Sequence, residues 1–401
     1  MRILLVHRYL DRVGGASCVV WNLAKELSRD HEVHVLTSHV GEPVPGVTIH
    51  RVPAVQRPLA LAVALTAVSY TVWLFVIGAR LRFDVVNSTV TESLRQDVIT
   101  SYGVHKSGIR RRQLELSPKT WRSRLRNLAK RLIRYTPLDV LVLAIERINL
   151  RRRGYEQIIA ISPGTQRELV AEYKIPSDHI TVVPCGVDID RFQLPTDTFR
   201  ARARARYRVN DGPAVVTVAT EFRRKGIREL VVAAAGLVQD YPGLLVLVAG
   251  RDNPSELQAL AEQLRIGNHI RFVGRVPDLQ EFMAAGDLFV LPTKYEGFGL
   301  TILEAMAVGL PVVTTRTGVG ELLSHDRDAL LLKDPSDTEE LIAMMRELLG
   351  NAGRRRALGA AARAFAERMT WRHSADATVT VYRRVVNYTA SSPARSTRLG
   401  G

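Results

Sequence analysis

The stretch Leu288–Thr315, LFVLPTKYEGFGLTILEAMAVGLPVVTT, reads as strand, loop, helix and strand in succession. LFVLP and PVVTT are short apolar runs, the pattern of strands covered on both faces. Between them a loop carrying Gly297 and Gly299 opens an apolar helix at about Gly299. A crossover helix of this kind joins parallel strands, which points to an α/β sheet with helices on its faces. The alternation extends upstream through AVVTVAT (Ala214–Thr220), a helix from Gly226, LLVLVAG (Leu244–Gly250), a helix through Leu264, HIRFVG (His269–Gly274) and a short helix. After Ser336 the pattern predicts helices only, the last from Trp371 to about Asn387.

The first half of the chain follows the same rule. ILLV (Ile3–Val6) precedes a helix opened by Gly14-Gly15, and EVHVL (Glu32–Leu36), DVVN (Asp84–Asn87), DVITS (Asp97–Ser101) and QIIAIS (Gln157–Ser162) are further strands. Ser162 and Pro163 supply an N-cap and a first helical residue. The pattern breaks near Pro184-Cys185-Gly186, and a polar, Pro- and Arg-rich stretch runs to about Pro213. A chain of 401 residues suits two cores rather than one. We therefore expect two Rossmann-like parallel-sheet domains, 1–186 and 187–370, a C-terminal helix 371–389 packing back on the first, and a flexible tail 391–401.

Apolar content of 46% and charged content of 24% are those of a folded protein. Two distant cysteines, Cys18 and Cys185, give no disulfide framework and no cysteine-rich zinc site, so a reducing compartment is expected. The first strand begins at Arg2 with no charged leader, apolar core and cleavage site before it, so no secretory signal is expected. The net charge of +16 is uneven: Lys106–Arg153 holds fifteen Lys or Arg against Glu115, Asp139 and Glu146. Such a patch suits a polyanion, whether acidic lipid, phosphorylated glycolipid or nucleic acid, and a membrane-bound anionic partner fits best. Arg200, Arg202, Arg204, Arg206 and Arg208 scatter around a helix axis and read as a solvated linker helix. Pro58–Ala79 is 22 residues without a charge, long enough to cross a bilayer. Strands of one sheet on either side of it argue instead for a helix buried on the sheet or lying against a membrane surface.

Open parallel sheets bind ligands beyond the carboxyl ends of their strands, and three loops fall there. In Glu296–Glu304, glycines let backbone approach a ligand, and the amides of Phe298, Gly299 and Leu300 form an anion site for a pyrophosphate. Glu304, a turn and a half into the helix, suits a diol such as a ribose, and Glu296 suits sugar hydroxyls. In the loop Thr220–Gly226, Lys225 is placed to neutralise a diphosphate, with Arg224 or Arg223 assisting. Gly14-Gly15 lacks the GxGxxG spacing, which disfavours an NAD oxidoreductase, yet both glycines allow close approach of a phosphate or acceptor. His105 lies just past DVITS, where a crevice residue is expected. Asp188-Ile-Asp190 gathers too few oxygens for a metal site, and none is expected.

Taken together, EGFGLTILEAMAVGLPVV with FRRKG, the GG loop, PCGVD before the hinge, RFVGRVPD and the crossing C-terminal helix resemble the large family-four retaining glycosyltransferases of GT-B fold. The resemblance covers nearly the whole chain. It implies two Rossmann-like domains facing a central cleft, with a nucleotide diphosphate-sugar bound by the C-terminal one and an acceptor by the N-terminal one. It assigns Glu296 to the donor sugar, Glu304 to the nucleotide ribose, Lys225 with an arginine to the diphosphate, and His105 to the transferred sugar. Where many relatives carry Gly-Arg, this chain has Ala219-Thr220, which leaves Arg224 for that phosphate contact. GVHKSG, the basic insertion and VLAIERINLRRRGYEQIIAIS are more narrowly similar to lipopolysaccharide-core glucosyltransferases. That likeness favours a UDP-sugar, with a GDP-sugar open, a glycan or glycolipid acceptor, and a cytoplasmic, peripheral position on the inner face of a membrane. No cofactor and no nucleic acid partner are expected. The rival readings are a non-catalytic binder of anionic lipid or nucleic acid and a sugar-nucleotide epimerase or phosphorylase on the same architecture.

Overall fold

The computed structural model describes residues 1–53, 59–115, 136–151 and 154–391. Pro58, much of the basic insertion (116–135 and 152–153) and the tail from 392 lie outside the described residues. The chain forms two compact units, Met1–Pro184 joined by the segment from Ser374, and Cys185–His373.

In the first unit the seven strands β1 (Arg2–Val6), β2 (Glu32–Thr37), β3 (Thr48–Arg51), β4 (Val85–Thr89), β5 (Val98–Ser101), β6 (Gln157–Ala160) and β7 (Ile180–Val182) are parallel, in the order β3-β2-β1-β4-β5-β6-β7. In the second, β8 (Ala214–Val218), β9 (Leu245–Ala249), β10 (Ile270–Gly274), β11 (Leu288–Val290), β12 (Val312–Thr315) and β13 (Leu330–Leu332) run in the order β10-β9-β8-β11-β12-β13. Both sheets wind outward from a central strand and then reverse, so each has one switch point, at β1/β4 and at β8/β11.

The period of two along β1 sorts the first core onto two faces. Ile3 and Leu5 join Trp21 and Leu27 of the helix Gly15–Leu27 and Val379, Tyr382 and Val385 of the C-terminal helix Trp371–Ser391. Leu4 and Val6 meet Tyr70 and Leu74, in the charge-free segment. That segment is a helix, Leu59–Trp73, continued by a π turn, Leu74–Gly78, and a last short turn. The C-terminal helix is pinned by a buried chain of hydrogen bonds: Asn87 Nδ2 donates to the Tyr382 hydroxyl (2.6 Å) and Thr100 Oγ1 donates to Asn87 Oδ1 (3.0 Å).

The arginine-rich segment corrects the sequence reading. Asp197–Arg206 is helical, but its arginines are not simply solvated. Arg200 and Arg204, four apart and so on one side, both bond Asp287, and Arg202 and Arg206 both reach Glu281. Asp287 also accepts the N–H of Ala214 at 2.8 Å, which ties the helix to the start of β8. The Asp287→Asn variant keeps that backbone bond and loses the charge-assisted ones. It should destabilise the second unit by about 2 kcal/mol in urea unfolding; an unchanged midpoint would mean the arginines are bystanders.

Candidate active site

Two loops leave the carboxyl ends of β8 and β11, the strands at which the second sheet reverses. The first runs into the helix Ile227–Ala235 and the second into the helix Leu300–Ala307. Backbone contacts fasten them together: the carbonyl of Arg224 accepts the Lys294 N–H (2.9 Å) and the Thr293 hydroxyl (3.4 Å). Gly226 has φ +71°, and a Cβ there would sit 2.1 Å from the Pro292 carbonyl oxygen, so only glycine permits this approach. Gly318, at φ +59°, performs the same service on the far side, where a Cβ would lie 2.8 Å from Cβ of Glu296.

This fastening brings Lys225 and Glu296 into direct contact. The Lys225 ammonium bonds Glu296 Oε1, and the two side chains are only 10% and 6% exposed. Arg224 flanks them, its Nη1 3.9 Å from Glu296 Oε2, while it donates to the Tyr295 carbonyl (2.6 Å) and pairs with Glu221. Burial pulls the Lys225 ammonium below the ordinary lysine range, and the Glu296 carboxylate opposes that pull. The sequence reading treated Lys225 and Glu296 as separate ligand contacts; the fold makes them one ion pair with a second cation beside it.

The helix Leu300–Ala307 begins at Gly299, which has φ +90° and provides no side-chain cap. First-turn amides have no intrahelical partner, so those of Gly299 and Leu300 lie at an uncapped helix start beside buried Phe298. Glu304, further along this helix, keeps a partly exposed side, yet burial pushes its carboxyl up to about 7, with the Arg191 guanidinium opposing. Arg223 is exposed. Asp188 caps its own turn, accepting the Arg191 N–H at 3.1 Å. Among the described residues no group of three His, Cys, Asp or Glu side chains is placed to hold a metal ion.

Gly14, Gly15 and His105 belong to the first unit. Gly14, at φ +104°, starts the helix after β1, and neither it nor Gly15 has an atom within 4 Å of where a Cβ would stand. His105 starts the helix His105–Glu115; its Nε2 lies 2.9 Å from Asp139 Oδ1 and its N–H donates to Glu146 Oε2 at 3.0 Å. Asp139 and Glu146 are two of the three acids in the basic stretch, and no local pattern signals that they converge on His105. Part of that basic stretch is likewise internally matched, Lys106 and Arg110 with Glu172 and Arg111 with Glu168.

Two Rossmann-like sheets of this order define the GT-B architecture. The chain belongs to the glycosyltransferases: residues 13–191 match Glycosyltransferase Family 4 and residues 199–365 match Glycosyl transferases group 1. Over 243 residues it is 31% identical to the GDP-mannose-dependent alpha-(1-6)-phosphatidylinositol monomannoside mannosyltransferase of Mycolicibacterium smegmatis, covering 58% of this chain and 63% of that one. It is 27% identical to the lipopolysaccharide glucosyltransferase WaaG of Escherichia coli, over 56% of this chain and 61% of WaaG. These alignments thus span about three fifths of each relative. In fold, a crystal structure of WaaG matches with a TM-score of 0.75 at 20% identity, over 95% of this chain and 99% of that one. Anabaena Alr3699/HepE, solved with UDP-glucose, matches with a TM-score of 0.67 at 19% identity, over 98% of this chain and all of the other.

Two expected outcomes follow from the geometry. Lys225→Met leaves Glu296 buried without its partner and should cost about 3–5 kcal/mol in denaturant unfolding, most of it recovered in Lys225→Met/Glu296→Leu. A single variant no worse than the double would show that the pair is not sealed from water. Glu304 holds its proton in the folded protein up to about 7, against 4.5 when unfolded, so it costs stability as pH rises through that window. The melting temperature of Glu304→Gln should match the wild type below this window and exceed it above; a gap independent of pH would refute the buried carboxyl.

Proposed function

We propose that this protein transfers a hexose from a nucleotide diphosphate-sugar to a hydroxyl of a glycan or glycolipid, with retention at the anomeric carbon and without a metal ion, in the synthesis of cell-envelope glycans. The observation that carries this reading is the buried Lys225–Glu296 pair, with Arg224 beside it, next to an uncapped helix start at the β8/β11 switch point. Two cations and a row of amides suit a diphosphate, and the carboxyl groups of Glu296 and Glu304 suit the hydroxyls at its two ends. The names of the relatives point the same way, one a mannosyltransferase dependent on GDP-mannose, the other a lipopolysaccharide glucosyltransferase. A uridine donor is favoured, in keeping with the UDP-glucose bound to Alr3699/HepE.

In this reading the bond from the anomeric carbon to the diphosphate oxygen breaks while the acceptor oxygen bonds the same face of that carbon. The acceptor proton passes to the departing phosphate oxygen. Lys225, Arg224 and the helix amides stabilise the charge that develops there, each donor contributing about 3–4 kcal/mol at the transition state. His105, which Asp139 holds, is given to the transferred sugar by the family resemblance alone. The protein works at the cytoplasmic face of a membrane as a peripheral enzyme, through its basic insertion and a glycolipid acceptor.

Thermal shift against UDP- and GDP-sugars tests the donor site, with Glu304→Ala as control. A donor at a hundred times its dissociation constant should add roughly 2.7 kcal/mol of stability, lost in the variant. No shift with any nucleotide sugar would remove the basis for this assignment.

A further inference from the structure

The helical segment Leu59–Leu81 is apolar on opposite faces, and the sheet covers only one of them. Ala62, Thr66, Tyr70 and Leu74 recur every fourth residue and are buried; Tyr70 and Leu74 pack with Leu4, Val6 and Leu36. The Tyr70 hydroxyl shares a 2.5 Å hydrogen bond with Ser38, which fixes this face to the end of β2. The other side carries Leu61, Leu65, Val68, Val72, Phe75 and Val76, each between 41% and 56% exposed. A helix resting on a sheet in water normally turns polar residues outward. Here Arg80 is the only charged residue from Leu59 to Leu81. The π turn adds to the strip, leaving Phe75, Val76 and Ile77 exposed in succession while Leu74 and Gly78 stay buried. Leu94, also exposed, lies alongside, its N–H on Thr71 Oγ1 at 2.9 Å.

We infer that this strip docks on an anionic lipid bilayer and lies within its interface rather than crossing it. The inference deepens the peripheral-membrane part of the reading above by naming the surface, and it does not depend on the donor site. Charge decides the occupant. Arg80, Arg82 and Arg95 border the strip, the Arg95 guanidinium lies 4.4 Å from the centre of the Phe75 ring, and no acid occurs from Leu59 to Phe83. Such a rim meets acidic headgroups while the apolar side chains enter the acyl boundary. A second copy seated there about a twofold axis would set the same cations against one another with no carboxylate in the strip to answer them. Length alone admits a span, since Leu61–Leu81 is long and apolar enough. Crossing would strip Tyr70 and Leu74 from the sheet and expose Leu4, Val6 and Leu36.

Co-sedimentation with vesicles of phosphatidylcholine, with and without phosphatidylglycerol, tests the inference on the full chain. The wild type should bind the anionic vesicles and keep part of that binding in high salt, because the apolar contribution is not screened. Val72→Glu/Phe75→Glu should lower the partition coefficient at least about tenfold and abolish the salt-resistant part. Arg80→Glu/Arg82→Glu should weaken binding to anionic vesicles and hardly change it on neutral ones. Both variants change exposed positions, and an unaltered thermal shift with a nucleotide sugar would verify their fold. Should that shift be missing in the wild type too, the donor reading fails while the vesicle result stands, and circular dichroism then checks the fold. Wild-type vesicle binding by Val72→Glu/Phe75→Glu overturns the inference. So does a concentration-dependent dimer that this variant dissolves without loss of vesicle binding, which would assign the strip to a second copy. Resistance of the wild type to alkaline carbonate extraction overturns the interfacial placement in favour of a span.

Discussion

Where β8 and β11 lie side by side, the winding of the second sheet reverses, and the helices that follow these strands depart to opposite faces. The loops leading into those helices therefore diverge from one point at the carboxyl edge, and the crevice between them needs no other element to form it. What remains is to hold the loops at a fixed distance, and here backbone rather than side chains sets the limit. Gly226 against Pro292, Gly250 against Ala219 and Gly318 against Phe298 are all approaches that a Cβ would block. The position of Lys225 relative to Glu296 follows from those contacts.

A lysine and a glutamate removed from water in this way are a poor means of stabilising a fold, because the attraction roughly repays the desolvation. The arrangement makes more sense as preorganisation. Each side chain is held in one place by its partner, so a polar ligand arriving beside the pair would meet oriented groups without reordering either. Elsewhere the chain uses its excess of cations differently. Arg200 and Arg204 on Asp287, and Arg202 and Arg206 on Glu281, are fork-shaped donors matched to carboxylates at packed helix contacts. Arginines of this kind contribute to the net charge of +16 without forming a surface for polyanions.

The regular part of the fold was legible in the sequence because the signal is local. Apolar runs such as Ile3–Val6, Leu245–Ala249 and Val312–Thr315 are buried on both faces, and the loop Glu296–Gly299 announces its helix by glycine alone. The edge strand Thr48–Arg51 and the short strands Ile180–Val182 and Leu330–Leu332 were not anticipated, since three or four residues, some of them polar, carry too little pattern. Pairings between distant residues were equally hidden. Lys225 and Glu296 are 71 residues apart, and His105 lies 34 and 41 residues from the acids it meets. Composition made Asp139 and Glu146 look like exceptions in a basic stretch, whereas topology gives them a task. The arginine run was misjudged for a different reason: a spacing of two scatters side chains around a helix, yet alternate members are four apart and share a face.

The charge-free segment shows that two sequence readings that looked exclusive are compatible with one helix. A helix resting on a sheet and a helix resting on a membrane make opposite demands on polarity only if each uses the same face. Residues at intervals of four from Ala62 to Leu74 satisfy the sheet, and residues at intervals of three and four from Leu61 to Phe75 satisfy an apolar exterior. With both stripes apolar the helix has almost no polarity gradient around its axis, which is why its sequence passes for a span. The fold breaks that symmetry: once Tyr70 is bonded to Ser38 and Leu74 lies with Leu4 and Val6, only one stripe is left to meet anything else. Its orientation is then fixed by the sheet beneath it, so a contact made through this stripe would hold the whole first unit, with the loops at the carboxyl end of its strands, at a set angle to the surface it touches.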